Sequence, residues 1–276
     1  MTSATLAPRT VGTGESTDGV TQLRAIKSEW IKLRSLRSTF WSFLAAAGFI
    51  IGLGVLFSSF RVHDWKQIPP GQAHFLDPTQ VSLRGVYLAQ LAIGVLGVMA
   101  VTGEYSTGMI RATMSAVPRR LPVLWAKLVV FAATVFVAMG ISAFIAFELG
   151  QAALSSSHYQ ASLSTPGAVR AVIGAALYLS VLSLLGIGLG FLIRNTAGAI
   201  AALFGLLLIL PVLAQALPNS WATHVQKVLP MPAGTSIMTT VHDPTALSPW
   251  AGLGVFCLYA LAAIAAGAFM LRRRDA

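Results

Sequence analysis

Glu104-Tyr-Ser-Thr-Gly-Met-Ile-Arg-Ala-Thr-Met-Ser-Ala-Val-Pro-Arg-Arg-Leu-Pro-Val-Leu-Trp-Ala-Lys127 is a polar, basic interruption between two long apolar runs. The run before it covers 83–101 and the run after it covers 128–149. Each supplies about 20 residues, the length at which an α-helix crosses a hydrocarbon core of about 30 Å. Further outward lie four more runs of the same kind, at 39–60, 171–193, 197–217 and 249–271. A charge at mid-bilayer costs about 2.5–3.5 kcal/mol. None of the six runs carries one there, and Arg84 and Glu148 fall near run ends. The pattern predicts an all-α integral membrane protein with six transmembrane helices.

Composition leads to the same class. Of the 276 residues, 55% are hydrophobic and 10% charged, where a soluble domain carries about 25% charged residues. So few charges cannot cover a water-facing surface, and lipid must be the main solvent. The net charge of +10 sits beside and between apolar runs, which fits residues that orient a membrane protein and not a nucleic-acid surface.

Orientation follows from Lys and Arg. With the N-terminus in the cytoplasm, 14 of the 19 basic residues fall inside, among them Arg111, Arg119, Arg120 and Lys127. Five fall outside: Arg61, Lys66, Arg84, Arg170 and Lys227. That bias predicts a multi-pass protein with both termini in the cytoplasm.

Three divisions of the chain are expected. Residues 1–19 are rich in Thr, Ser and Gly, lack the apolar core of a secretory signal, and read as a disordered cytoplasmic tail. Residues 20–38 read as an amphipathic connecting helix. Leu23, Ile26, Trp30 and Leu33 recur at three- and four-residue intervals, with Arg24, Lys27, Lys32, Arg34 and Arg37 on other faces. Such a helix lies in the membrane interface, with Trp30 at headgroup level and Lys32 and Arg34 toward anionic lipid. Residues 39–276 form the six-helix membrane domain.

Within that domain the connections differ. Arg194-Asn195-Thr196 makes a tight hairpin between the fourth and fifth spans. The stretch 218–248 is too apolar for a free loop and too rich in proline for a span, so short helices dipping into the outer interface are expected. Gly186, Gly188 and Gly190 permit close helix approach in the fourth span, and Pro211 predicts a kink in the fifth. In the 104–127 stretch, Ser106 or Thr107 is placed to cap a short helix that Pro118 ends. Met109, Ile110, Met114 and Val117 make its apolar face, and Glu104 is placed to pair with Arg111 or with a partner.

Several chemistries are excluded. The spans hold no Asp and no His, and Ser180 and Ser183 have no visible base, so an intramembrane protease is not expected. A single Cys257 allows neither an internal disulfide nor a Cys-based metal site. The five histidines lie in three separate loops with no ligand spacing. Gly12-Thr-Gly-Glu-Ser16 lacks the Gly-Lys-Ser/Thr ending of a phosphate-binding loop, which occurs nowhere in the chain.

Glu104–Arg111 with Pro118-Arg119-Arg120 and Lys127, together with Ser28-Glu-Trp-Ile-Lys-Leu-Arg-Ser35 and the end of the chain from Leu247-Ser-Pro-Trp-Ala-Gly252 to Arg272-Arg-Arg-Asp-Ala276, resembles the permease subunits of ATP-binding-cassette (ABC) transporters of the type-2 exporter family, as found in actinobacteria. The resemblance covers about 20–276. It implies a half-transporter that pairs with a second permease copy or paralogue, with cargo passing along an interface that involves the second and fifth spans. It implies a separate ATP-binding subunit that holds ATP and Mg, with no cofactor and no catalytic residue in this chain. It also implies that the connecting helix and the 104–127 loop touch that subunit, which makes Glu104, Tyr105, Met109, Arg111, Arg119 and Arg120 the candidate coupling residues. The other class open to such a sequence is a non-transporting membrane scaffold or sensor.

Overall fold

A computed structural model describes residues 22–66, 76–109, 120–157, 159–241 and 243–273. The expected tail at 1–19, the loop residues Arg111 and Arg119, and the loop helix bounded by Pro118 lie outside the described residues.

Among the described residues the structure is helical, and six helices are long and apolar enough to cross a membrane. A preceding helix, α1 (Gln22–Ser35), turns at Leu36 into the first of them, α2 (Arg37–Lys66). A short helix, α3 (Pro78–Ser82), leads into α4 (Val86–Ser106). Next come α5 (Arg120–Leu154) and α6 (Ala168–Ile193). The fifth crossing is broken into α7 (Thr196–Phe204), a π turn (Gly205–Ile209) and α8 (Leu210–Ala214). Two short helices, α9 (Asn219–Val228) and α10 (Pro230–Thr235), and a 3-10 turn (Ser236–Met238) precede α11 (Pro249–Arg273).

α6 is the centre of the bundle. In its most apolar stretch 67% of residues are buried, against 22% in α2 and in the fifth crossing. It packs on α4, α5 and α11, and small residues make those approaches possible. Lipid gives helices no hydrophobic reason to associate, so close van der Waals contact must hold them. A Cβ at Gly97 of α4 would stand 2.5 Å from the Ser183 carbonyl oxygen of α6. On α6, a Cβ at Gly186 would meet the Gly94 backbone at 2.7 Å, and one at Gly188 would meet the Ala263 backbone at 2.8 Å. The glycines legible in the fourth span therefore serve two different neighbours.

The π turn has a local cause. Pro211 has no N–H to donate to the carbonyl four residues back, and its ring crowds that turn. The helix accommodates this by widening over Gly205–Ile209 before it resumes. The kink expected at Pro211 is thus taken up one turn earlier.

The end of the bundle opposite Glu104 is closed by short helices and turns. Asp77 caps α3, accepting from the Gln80 N–H at 2.8 Å, and also accepts from the Thr240 N–H at 2.7 Å and the Thr240 hydroxyl at 2.8 Å. Gln151 of α5 donates to the Pro78 carbonyl and the Ser82 hydroxyl and accepts from the Ala161 N–H at 2.7 Å. The region 218–248 contains short helices, with Ala233, Ile237 and Met238 buried against α6 and α11.

Candidate functional site

The interruption between α4 and α5 brings three elements together at the other end of the bundle. α4 carries Glu104 near its last turn, α5 carries Lys127 near its start, and α1 lies across both with Glu29 and Lys32. Lys127 Nζ sits 2.6 Å from Glu29 Oε2 and 3.0 Å from Glu104 Oε1. Lys32 Nζ sits 2.8 Å from Glu29 Oε1 and 3.1 Å from Glu104 Oε1. The four charges sum to zero and each cation touches both anions.

Burial decides what this network means. The Glu29 and Lys127 side chains are each 3% exposed, Glu104 10% and Lys32 29%. Taking such charges out of water costs several kcal/mol apiece, and only close, multiple pairing offsets it. An apolar floor supports the arrangement. Leu33 of α1, Leu96 and Val101 of α4, Leu124 and Phe131 of α5, and Phe191 of α6 form one cluster. Burial opposes the charged form of Glu29, but Lys127 and Lys32 outweigh it, and its carboxyl titrates below the usual 4.5. Burial likewise opposes charge on Lys32, and Glu29 and Glu104 outweigh it, so its amine titrates above the usual 10.5.

One acceptor is left over. Glu104 Oε2 is buried and has no hydrogen-bond partner, a state that costs about 1–3 kcal/mol or more for a charged group. A cavity of about 290 Å³ adjoins the network between α1, α2, α4 and α5, and Glu29, Lys32, Glu104 and Lys127 are all in its wall.

A second assembly flanks the first. Arg194 ends α6 in the left-handed conformation at φ 59°. Its guanidinium lies 5.0 Å above the Tyr105 ring and donates to the Met270 carbonyl at 3.2 Å. Thr196 donates to Thr102 at 2.9 Å, and the Asn195 side chain accepts from the Gly198 N–H, capping α7. The tight turn between the fourth and fifth crossings is therefore fastened to α4 and α11.

These positions revise several expectations. Glu104 is engaged inside the chain, by Lys127 and Lys32. Tyr105 is half-buried beneath Arg194. Met109 is exposed beside the cavity. Arg120 begins α5, and its side chain lies outside the described residues along with Arg111 and Arg119. The Ser106 and Thr107 hydroxyls both donate to the Gly103 carbonyl at the end of α4, and Gly108 follows at φ 70°. The loop helix they were expected to cap lies among residues outside those described.

α1 also divides its surface differently from the expected single apolar face. Ala25, Glu29 and Leu33, four apart, face the protein, while Leu23 and Trp30 are exposed along with Arg34. Periodicity counted only the apolar positions and so passed over Glu29, the sole acid on a basic helix. Its spacing of four from Leu33 and three from Lys32 was the available signal. Lys127, alone in the apolar run from Leu121, was a second.

A family model described as ABC-2 family transporter protein matches residues 25–209, from the first turn of α1 to the end of the π turn, and so includes all four network residues. No curated protein matches the chain. With the match covering two thirds of its length and six membrane-crossing helices beside it, the chain belongs to the ABC-2 family of transporter proteins and is a multi-pass membrane protein.

Proposed function

We propose that this chain is the membrane half of an ATP-driven exporter, oriented with both termini in the cytoplasm. It forms its path with a second permease copy or paralogue and receives mechanical work from a separate ATP-binding subunit that holds ATP and Mg. The observation that carries the reading is the buried Glu29–Lys127–Glu104–Lys32 network. It joins the connecting helix, the end of the second crossing and the start of the third into one unit. A push on α1 or on the adjoining loop then reaches α4 and α5 together, and through α6 the rest of the bundle, as a switch between two packings. Met109, Arg111, Arg119 and Arg120 are the docking residues in this account, since Glu104 and Tyr105 are committed within the chain. Trp30 and Arg34 face the membrane interface or the partner.

The export direction and the use of a dimer follow from the type-2 resemblance. The first and fifth crossings leave most of their apolar surface uncovered, whereas the second is 56% buried in its own chain, so α2 with α7 and α8 offers the larger face to a second copy. Affinity purification of the tagged chain from its native host tests the partnership. A Walker-motif ATPase is expected to accompany it, and the joint change Met109→Ala with Arg111→Ala is expected to reduce its recovery. Purification that never brings down such an ATPase would contradict the reading and favour a scaffold or sensor.

A further inference from the structure

The turn between α3 and α4 carries a cation with no anion beside it. A Cβ at Gly54 of α2 would run into the Ser82 carbonyl, and one at Gly85 into the Phe49 carbonyl. The turn therefore packs on the middle of the 39–60 apolar run, and Arg84 lies between those two contacts. Its half-buried guanidinium reaches along α2 to the Phe57 ring, 5.5 Å from the centroid. The exposed neighbours in sequence, Leu56 and Phe60 of α2 and Leu88 of α4, are apolar. A charge in such surroundings is costly and ordinarily has a partner of opposite sign. Among the described residues no carboxylate pairs with Arg84, and its guanidinium makes no hydrogen bond. Asp77, the nearest acid in the chain, is committed elsewhere. Its Oδ1 accepts from the Gln80 N–H and the Thr240 hydroxyl, and its Oδ2 from the Thr240 and Val241 N–H groups.

Arg84 lines a pocket of about 360 Å³ together with Phe57, Gln80 of α3 and Tyr87 of α4, a size that ligands occupy. The Gln80 amide and the Tyr87 hydroxyl also have no hydrogen-bond partner among the described residues. Both can donate and both can accept. The sign of the ligand is therefore set by the guanidinium, which only donates and carries the one formal charge among these four residues. Its planar fork matches two oxygens of a phosphate. Two further donor groups suit an anion with more than two oxygens, as a phosphate has and a carboxylate lacks. A free ion would give up its hydration to enter apolar surroundings. A lipid brings its phosphate there on chains that belong in them.

We propose that this pocket binds the phosphate of an anionic lipid, held by Arg84 with Gln80 and Tyr87 as further donors. Basic pockets between crossing helices are suited to lipid head groups. A bound lipid ties α2 to the turn that starts α4. The site rests neither on the ATP-driven reading nor on which end of the bundle faces the cytoplasm, and it needs no partner subunit.

The test uses the full chain in dodecyl maltoside, a detergent without phosphate, and phosphatidylglycerol carrying a photoactivatable diazirine close to its head group. Crosslinks are mapped by mass spectrometry. Saturable labelling is expected on α2 around Phe57 and on the 80–88 stretch, displaced by dioctanoyl phosphatidylglycerol and not by dioctanoylglycerol, which has the same chains and no phosphate. Arg84→Gln is expected to weaken it by about tenfold or more, the loss of a charge-assisted contact. Gln80→Glu keeps the side chain's shape and gives Arg84 a carboxylate within the chain. It is expected to abolish labelling, which decides the matter if Arg84→Gln fails to insert. Non-saturable labelling, equal displacement by dioctanoylglycerol, or labelling that persists unchanged in either variant overturns the proposal. Displacement by millimolar inorganic phosphate would make this a site for a soluble anion and overturn the assignment to lipid.

Discussion

Lys127 holds two of the four close ion contacts in the network, and its side chain is 3% exposed. Lys127→Met leaves Glu29 and Glu104 buried with only Lys32 between them. Removing one partner of a buried pair costs about 3–5 kcal/mol, so the single variant is expected to melt well below the parent in detergent. Glu29→Gln added to it removes the stranded charge and is expected to restore part of the loss. Additive melting shifts in that double-mutant cycle would show that the two residues do not act as a pair. The same network sets a pH window. Glu29 titrates low in the folded chain, so its contribution is present above the usual carboxylate value of 4.5 and fades as pH falls through the lower folded value. Lys32 titrates high, so its contribution is complete below 10.5 and fades as pH rises through the higher folded value. Thermal stability is therefore expected to stay flat between these limits and to drop outside them. In the Glu29→Gln chain the acid-side drop should shrink.

At the scale of the helix, close approach at α6 makes its own prediction. A side chain at Gly97 has the Ser183 carbonyl in its way, whereas nothing lies within 4 Å of a Cβ at Gly48 in α2. Gly97→Val is expected to destabilise by about 1–3 kcal/mol or to block assembly of the bundle, as overpacking does. Gly48→Ala should be neutral or mildly stabilising. Equal effects at the two sites, read as melting temperature, would contradict the assigned packing. The six crossings were legible because lipid demands long apolar runs, and that demand is written in composition alone. What crosses close to what was not legible, because three glycines in one span do not say which neighbour each admits. The π turn over Gly205–Ile209 was half legible: Pro211 announced a fault in the helix, but where the backbone absorbs it depends on the surrounding packing. On α1, apolar periodicity found the helix and missed the acid that anchors it. The charges of the network pair across 72 and 98 positions of chain, and no local pattern records such distances.

For the whole molecule, orientation and coupling belong to one account. In the proposed orientation, with both termini in the cytoplasm, the end holding Glu104 would face ATP and the end closed by Asp77 and Gln151 would face outward. A cysteine introduced as Thr245→Cys in the Cys257→Ala chain is expected to react with an impermeant maleimide on intact cells, and Ser115→Cys only after permeabilisation. The reverse pattern would invert the molecule and separate the ion network from the ATPase. The most direct measurement of the central claim needs no knowledge of the cargo. Spin labels placed at the outward end, at Thr245→Cys in the two copies of the assembled transporter with its native ATPase, report their separation by pulsed electron paramagnetic resonance with and without a trapped ATP analogue. The account predicts a nucleotide-dependent change of distance in the parent and its loss in Lys127→Met that still retains the ATPase. An unchanged nucleotide response in a Lys127→Met complex of normal composition would show that force reaches the spans by a route other than this network.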